Sequence, residues 1–318
     1  MYKRKNTLVN TNHEQFPEAN ELSFDIAVSL FIRDCKVRNL SPHTITYYQN
    51  ELKMVQRYLE SEGIKDVAQV TENDIKEYVI ERMFDEERKD TAINTRLRAA
   101  RAFFRFLHKK NHIPVNPMED LSLIKEKRNV IETFTNEQIR MLLRVPDRNT
   151  FTGLRDYTLM IVMLETGVRL KELVGIRVQH VNLADGYIRI TEAKGYKERN
   201  VPIQRQARQV LRHYIAVRGH SETDFLFVTL NDEPIAYRSV QKRIAKIGKL
   251  SGVKNVRVSA HTFRHTFAKL SVQNGANIFE LQAILGHTSL EMVRRYVNLF
   301  SEDVARGHAK FSPVENLY

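Results

Sequence analysis

With 318 residues, of which 42% are hydrophobic, the chain has enough apolar material for packed cores, and its length suits two domains better than one. A single cysteine, Cys35, excludes an intramolecular disulfide framework, and no apolar run is long enough to cross a membrane. Fifty Lys and Arg against 38 Asp and Glu leave a net charge of +12, which favours an anionic partner without naming one.

The opening Lys3-Arg4-Lys5 is followed by polar residues where a signal peptide needs an apolar stretch, so a cytoplasmic location is expected. Residues 1–20 are too few and too polar to fold alone and read as a flexible extension. Residues 21–111 then carry four helical patterns. The first spans 23–38 and places Cys35 on the same apolar stripe as Phe24, Val28 and Phe31, a packing position. Ser41-Pro42 supplies an N-cap and a proline at the first helical position for the second. Thr71 with Asp74 forms a capping box for the third, and 91–110 is the fourth. Acids crowd residues 72–90, whereas Arg96, Arg98, Arg101 and Arg105 follow without an acid before Glu119. That series reads either as a solvated face or as a phosphate-binding stripe.

Pro114 and Pro117 mark a linker assigned to 112–132. The second domain, 133–300, is mixed and carries the charge excess: residues 134–318 hold 28 Lys and Arg against 17 Asp and Glu. A helix over about 154–165 ends at Gly167, a left-handed cap position, and a short helix follows through Leu170 and Leu173. The period then changes to two. Val181 and Leu183, the Asp185-Gly186 turn, Tyr187 to Ile190, the Lys194-Gly195 turn and Val201 to Ile203 predict a three-stranded antiparallel sheet. Helices return after Gln206, and 301–318 form a tail. The fold class is therefore mainly α with one small antiparallel sheet.

Several polar residues lack a packing reason. Arg169 lies in TGVRLKEL, Lys194 in EAKGYKERNVPI, His261 and Arg264 in HTFRHTFA, His287 in LGHTSL and Tyr296 in MVRRYVNL. Together they form a kit for phosphodiester chemistry. Guanidinium forks match the non-bridging oxygens and stabilise the charge of a five-coordinate phosphorus. A tyrosine hydroxyl can attack that phosphorus, and lysine or histidine can protonate the departing sugar oxygen. The arrangement calls for no metal and no cofactor.

The same motifs, in this order, resemble the tyrosine recombinase (phage integrase) family, including its Xer-type members, over about residues 22–300. The resemblance implies an N-terminal four-helix SAM-like core-binding domain and an α+β catalytic domain. It implies that Arg169 and Arg264 clamp the phosphate and that Lys194 is the general acid; Lys197, on the same turn in the sequence, is the alternative lysine to reach DNA. His261 would assist proton transfer, His287 would orient the phosphate, Tyr296 would be the nucleophile, and Glu172 would support the pocket. His265 is expected to be a satisfied buried histidine, while Arg294 and Arg295 are left between a solvated face and support of the tyrosine helix.

Two protomers would bind inverted half-sites and four would exchange strands through a 3′-phosphotyrosine and a Holliday junction, with an accessory protein left open. Ser41, His43, Thr44, Arg96, Arg98, Arg101, Arg105, Lys197 and Arg199 are the expected DNA contacts, in a cytoplasmic, nucleoid-associated protein. The tail, including Val304 and Phe311, would pack on a neighbouring protomer.

Three other functions share some of these features. A zinc-protease helix would share the His261/His265 spacing but needs glutamate where Thr262 stands, and Arg264 would oppose the metal. A DNA-binding protein without strand transfer needs only the basic excess and has no use for the full kit around Tyr296. A type IB topoisomerase would share the chemistry.

Overall fold

The computed structural model describes residues 22–126, 132–191 and 198–286. The chain divides between Asn129 and Val130 into two compact units.

The first unit is helical. Helix α1 (Phe24–Val37) starts at Ser23, whose hydroxyl accepts from the Ile26 amide, and α2 (Pro42–Ser61) starts at Ser41, whose Oγ accepts from the Thr44 amide. Thr71 and Asp74 form the expected capping box at the start of α3 (Glu72–Asp74). The helix then widens into π geometry over Ile75–Glu81 before α4 (Arg82–Asp85) restores the α pitch. Helix α5 (Asp90–Lys109) packs on α1 and α2 through Leu97, Phe103, Phe104 and Leu107. Each such fully buried side chain contributes roughly 1.5–3 kcal/mol.

Much of the stretch expected to link the domains is built into this unit. Ile113, Met118 and Leu121 join the same core, and the Asn94 side chain both donates to and accepts from the backbone of Ile124, at 2.8 and 2.9 Å. Those apolar side chains and that amide clamp give residues 113–126 a fixed path, which the two prolines alone did not announce.

The second unit is built round α7 (Phe151–Thr166), which ends at Gly167 with φ +59°. Helix α6 (Asn136–Arg144) precedes it and the short α8 (Leu170–Val174) follows. The sheet has the order β1 (Val181–Asn182), β2 (Tyr187–Ile190), β3 (Arg199–Pro202), all antiparallel. Ile188 opposes Val201, both inward, and Ile190 opposes Arg199. Helices α9 (Arg205–Arg218), α10 (Tyr237–Ser251), α11 (Ala260–Gln273) and α12 (Ile278–Leu285) complete the described unit. The α7 helix packs against α8, α9 and α11, so Met160, Met163, Leu173, Leu211, Tyr214 and Phe263 share one core. Leu281 and Leu285 of α12 close a smaller cluster with Phe267 and Ala268 of α11.

Candidate active site

The site begins at two helix ends. Gly167 turns the chain out of α7, and the Arg169 that follows caps α8. Glu172 of α8 reaches back so that Oε2 accepts from the Arg169 amide at 2.9 Å, while Oε1 accepts from Arg169 Nη1 at 3.0 Å. On α11, Ser259 caps the amide of Thr262, and Thr262 Oγ1 donates to the Arg257 carbonyl, which fixes the turn that carries His261 and Arg264.

Arg264 is 5% exposed and donates through Nη1 to the Gly167 carbonyl at 2.6 Å and through Nη2 to the Leu285 carbonyl at 2.9 Å. Arg169, with its side chain 25% exposed, donates through Nη2 to the Gly286 carbonyl at 3.2 Å. A third guanidinium joins them: Arg199 donates through Nε to the Ile284 carbonyl at 2.8 Å. Three arginines from three parts of the chain thus grip three successive carbonyls at the end of α12. These are the carbonyls a helix end leaves without an internal partner.

Glu172 is the shared anion of the cluster. Its side chain is 1% exposed. Burial alone would raise its pKa, but hydrogen bonds from Arg199 and the Arg169 amide, with both guanidinium charges, hold it below the ordinary value.

His261 is exposed one turn ahead of Arg264, and its ring stacks with that of His265, 6.4 Å between centroids. His265 is half-buried rather than enclosed. Burial first, then the neighbouring His261 and Arg264, pushes its pKa down to about 4. Arg169, Glu172, Arg264 and His261 are therefore brought to one locality. Lys194, Lys197, His287, Arg294, Arg295, Tyr296, Val304 and Phe311 lie outside the described residues, as do the N-terminal extension and the tail.

Comparison with known proteins agrees with this arrangement. Residues 132–303 match the model of the phage integrase family, and residues 28–111 match the phage integrase N-terminal SAM-like domain. The chain belongs to the phage integrase family. It is a tyrosine recombinase, a DNA-cleaving and religating enzyme, and its site-specific recombinase relatives share nearly its whole length. It is 32% identical over 292 residues to the tyrosine recombinase XerC of Syntrophus aciditrophicus, covering 86% of this chain and 94% of that one. To XerC of Oceanobacillus iheyensis it is 28% identical over 300 residues, covering 92% and 97%.

Among solved structures, the Tn1549 transposon integrase in complex with transposon right end DNA has a TM-score of 0.73 at 20% identity, over 91% of this chain and 99% of that one. The XerH recombinase bound to palindromic difH substrate has 0.72 at 20%, over 89% and 84%. A lambda integrase tetramer bound to a Holliday junction has 0.74 at 16%, over 87% and 78%. These likenesses carry the fold.

The recombinase places its expected DNA contacts unevenly. Arg199 was expected on the DNA side and is instead turned inward, because Glu172 and the Ile284 carbonyl offer it buried partners. Arg96 is likewise engaged within its own unit, paired with Glu51 at 3.2 Å and stacked over Tyr58. Arg101 donates to the Leu121 carbonyl and is half-buried. Arg98 reaches Glu126 from an exposed position, and Arg105 and His43 are exposed. Ser41 and Thr44 share a hydroxyl hydrogen bond of 2.8 Å at the α2 cap.

One cationic surface escaped the sequence reading. No Asp or Glu occurs between Glu233 and Glu280, and on α10 the exposed Arg238, Lys242, Lys246 and Lys249 form one stripe opposite the buried Val240, Ile244 and Ile247. The acid-free run was the signal available for it.

Proposed function

We propose that this recombinase cuts and rejoins duplex DNA at specific sites through a covalent 3′-phosphotyrosine, with Tyr296 as nucleophile. The Tyr296 oxygen attacks the scissile phosphorus, the 5′ sugar oxygen leaves and takes a proton, and the reverse attack by another 5′ hydroxyl releases the enzyme. Arg169 and Arg264 would hold the non-bridging oxygens and stabilise the charge that develops on them. Lys194, assisted by His261, would protonate the leaving oxygen, and His287 would orient the phosphate. Lys197 would be a DNA contact on the same hairpin.

The observation that supports this best is the seating of Arg169 and Arg264 on adjacent carbonyls of the turn that leads into His287 and Tyr296. Fixed guanidinium groups need no reorganisation as the charge grows. Among the relatives are a recombinase on palindromic DNA and an integrase tetramer on a Holliday junction. That supports inverted half-sites, self-association on DNA and a synaptic tetramer here, with the tail 301–318 exchanged between neighbours. Acting on DNA, the enzyme would reside in the cytoplasm with the nucleoid. The exposed stripe of α10, with Arg98, Arg105 and His43 on the first unit, would contact phosphates.

Covalent trapping tests the reading. Protein mixed with DNA from the flanks of its own gene, in EDTA, is denatured and resolved for DNA-linked chain. An adduct from the wild type that is absent in Tyr296→Phe is expected. An adduct that persists in Tyr296→Phe would show that another residue is the nucleophile.

A further inference from the structure

We propose that Arg199 is a positioning residue of the cleavage site, setting the guanidinium of Arg169 and the turn before His287; this rests on the roles given above to Arg169 and Tyr296. Four observations converge on it. The Arg199 side chain is 12% exposed, and its two terminal nitrogens each donate to a different oxygen of Glu172, at 3.2 and 2.8 Å. Its Nε donates in another direction, to the Ile284 carbonyl at 2.8 Å. Gly286, with φ +64°, lies against the guanidinium so closely that a Cβ there would fall 2.9 Å from Arg199 Cζ and Nη1. In the sheet Arg199 is the register partner of Ile190, so it closes the base of the β2–β3 hairpin, and Lys194 falls between these two residues in the sequence.

The consequence follows from the chemistry of Glu172. A carboxylate can rotate about its last bond, and both of its oxygens are needed to hold Arg169, one for the backbone N–H and one for Nη1. Arg199 grips both oxygens from the other side and so fixes that rotation. The planar fork allows this while Nε holds the end of α12; a lysine has three donors, but all on one nitrogen, and lacks the spread of the fork that serves the carboxylate and the carbonyl from two sides. Arg199 thus joins the lysine hairpin, the first arginine and the turn before the histidine and tyrosine into one rigid unit, without being aimed at DNA itself.

The test uses the full-length chain and the duplex recovered by covalent trapping, nicked beside the cleavage point so that religation is blocked. Single-turnover adduct formation at saturating protein is compared with DNA affinity for the wild type, R199Q, R199K, R169A, the R169A/R199Q double variant and Tyr296→Phe. R199Q is expected to slow cleavage by about 100-fold while its affinity stays within about threefold, since the lost contact acts on the transition state. R199K should regain less than about tenfold of that loss. In the R169A background, adding R199Q should cost no more than about a further twofold, because the two act as a unit. If R199Q does not fold, R199K carries the same comparison of rate with affinity and is expected to show the slower rate. Cleavage at the wild-type rate, or a fall in affinity matching the fall in rate, overturns the proposal, and so does a loss that multiplies fully in the R169A background. Normal cleavage by R169A, or an adduct that survives in Tyr296→Phe, would instead overturn the reading of the site.

Discussion

Arg264 on α11 donates to the carbonyl of Gly167 at 2.6 Å, across 97 positions of sequence. The acceptor belongs to a residue that only glycine can occupy comfortably. Its φ is +59°, and a Cβ would lie 2.3 Å from Phe267 Cδ1. Gly167→Ala must therefore push Phe267 aside or shift the loop, and either movement displaces the acceptor of Arg264. We expect a loss of about 2–4 kcal/mol by chemical denaturation, combining left-handed strain and overpacking, with cleavage reduced at temperatures where the variant is still folded.

Glu172→Gln should be costly for a different reason. Two guanidinium groups converge on a carboxylate that is almost wholly buried, and the substitution removes the charge that both are bonded to. The expected destabilisation is about 3 kcal/mol or more. The pH dependence has a definite sign. The folded pKa lies below the ordinary 4.5, so between the two values the unfolded chain binds the extra proton. Wild-type stability from this group is complete above about pH 4.5 and is lost as pH falls through the folded value. In a denaturation series Glu172→Gln should lack that acid-side loss.

His265 titrates in a separate window. Its folded pKa of about 4 lies below the ordinary 6.5, so the unfolded state again holds more protons in between. For a base this means stability is greatest above pH 6.5 and declines as pH falls towards 4. His265→Gln should flatten the curve over that interval and leave the limb below pH 4.5 in place, which separates the two groups.

The helix caps and the hairpin were legible because each depends on residues a few positions apart: Ser41 with Pro42, Thr71 with Asp74, Gly167 at the end of an apolar period. Arg169, His261 and Arg264 were legible because their motifs are local too. Arg199 was not, since its partners lie 27 and 85 positions away, and an arginine beside a lysine turn looks like a DNA contact until those partners are known. Arg96 misled in the same way, its acid being 45 positions earlier on α2. The fixed path of residues 113–126 depends on Asn94, 30 positions back. Periodicity carries no information on such pairings, and the π geometry over Ile75–Glu81 leaves no local mark either.

A purely structural ion cluster offers a control outside the active site. Arg155 and Asp156 are both buried and bonded to each other, and Arg243 from α10 reaches the same carboxylate from a half-exposed position. Asp156→Ala strands a buried guanidinium and should cost about 3–5 kcal/mol. Arg243→Ala should cost under about 1 kcal/mol, because that partner is half-exposed and Arg155 still pairs with the carboxylate. Both are read by urea denaturation.

The two basic helices can be told apart by salt. Cations that neutralise phosphates release counter-ions, and each such contact adds about 0.9 to the steepness with which log affinity falls against log salt. On α10, Lys242 and Lys246 are exposed, with no carboxylate on their own helix. On α5, Arg96 is already paired with Glu51 and covered by its own unit. Lys242→Ala and Lys246→Ala should each shallow the slope by about 0.9 and leave the melting temperature almost unchanged. Arg96→Ala should leave the slope as it is and lower the melting temperature, since it breaks a half-buried pair and its stacking on Tyr58. Titrations of one duplex at several salt concentrations, with a melt of each variant, decide between these outcomes. A shallower slope in Arg96→Ala would mean that its ion pair opens when DNA binds, and an unchanged slope in both lysine variants would remove α10 from the DNA-binding surface.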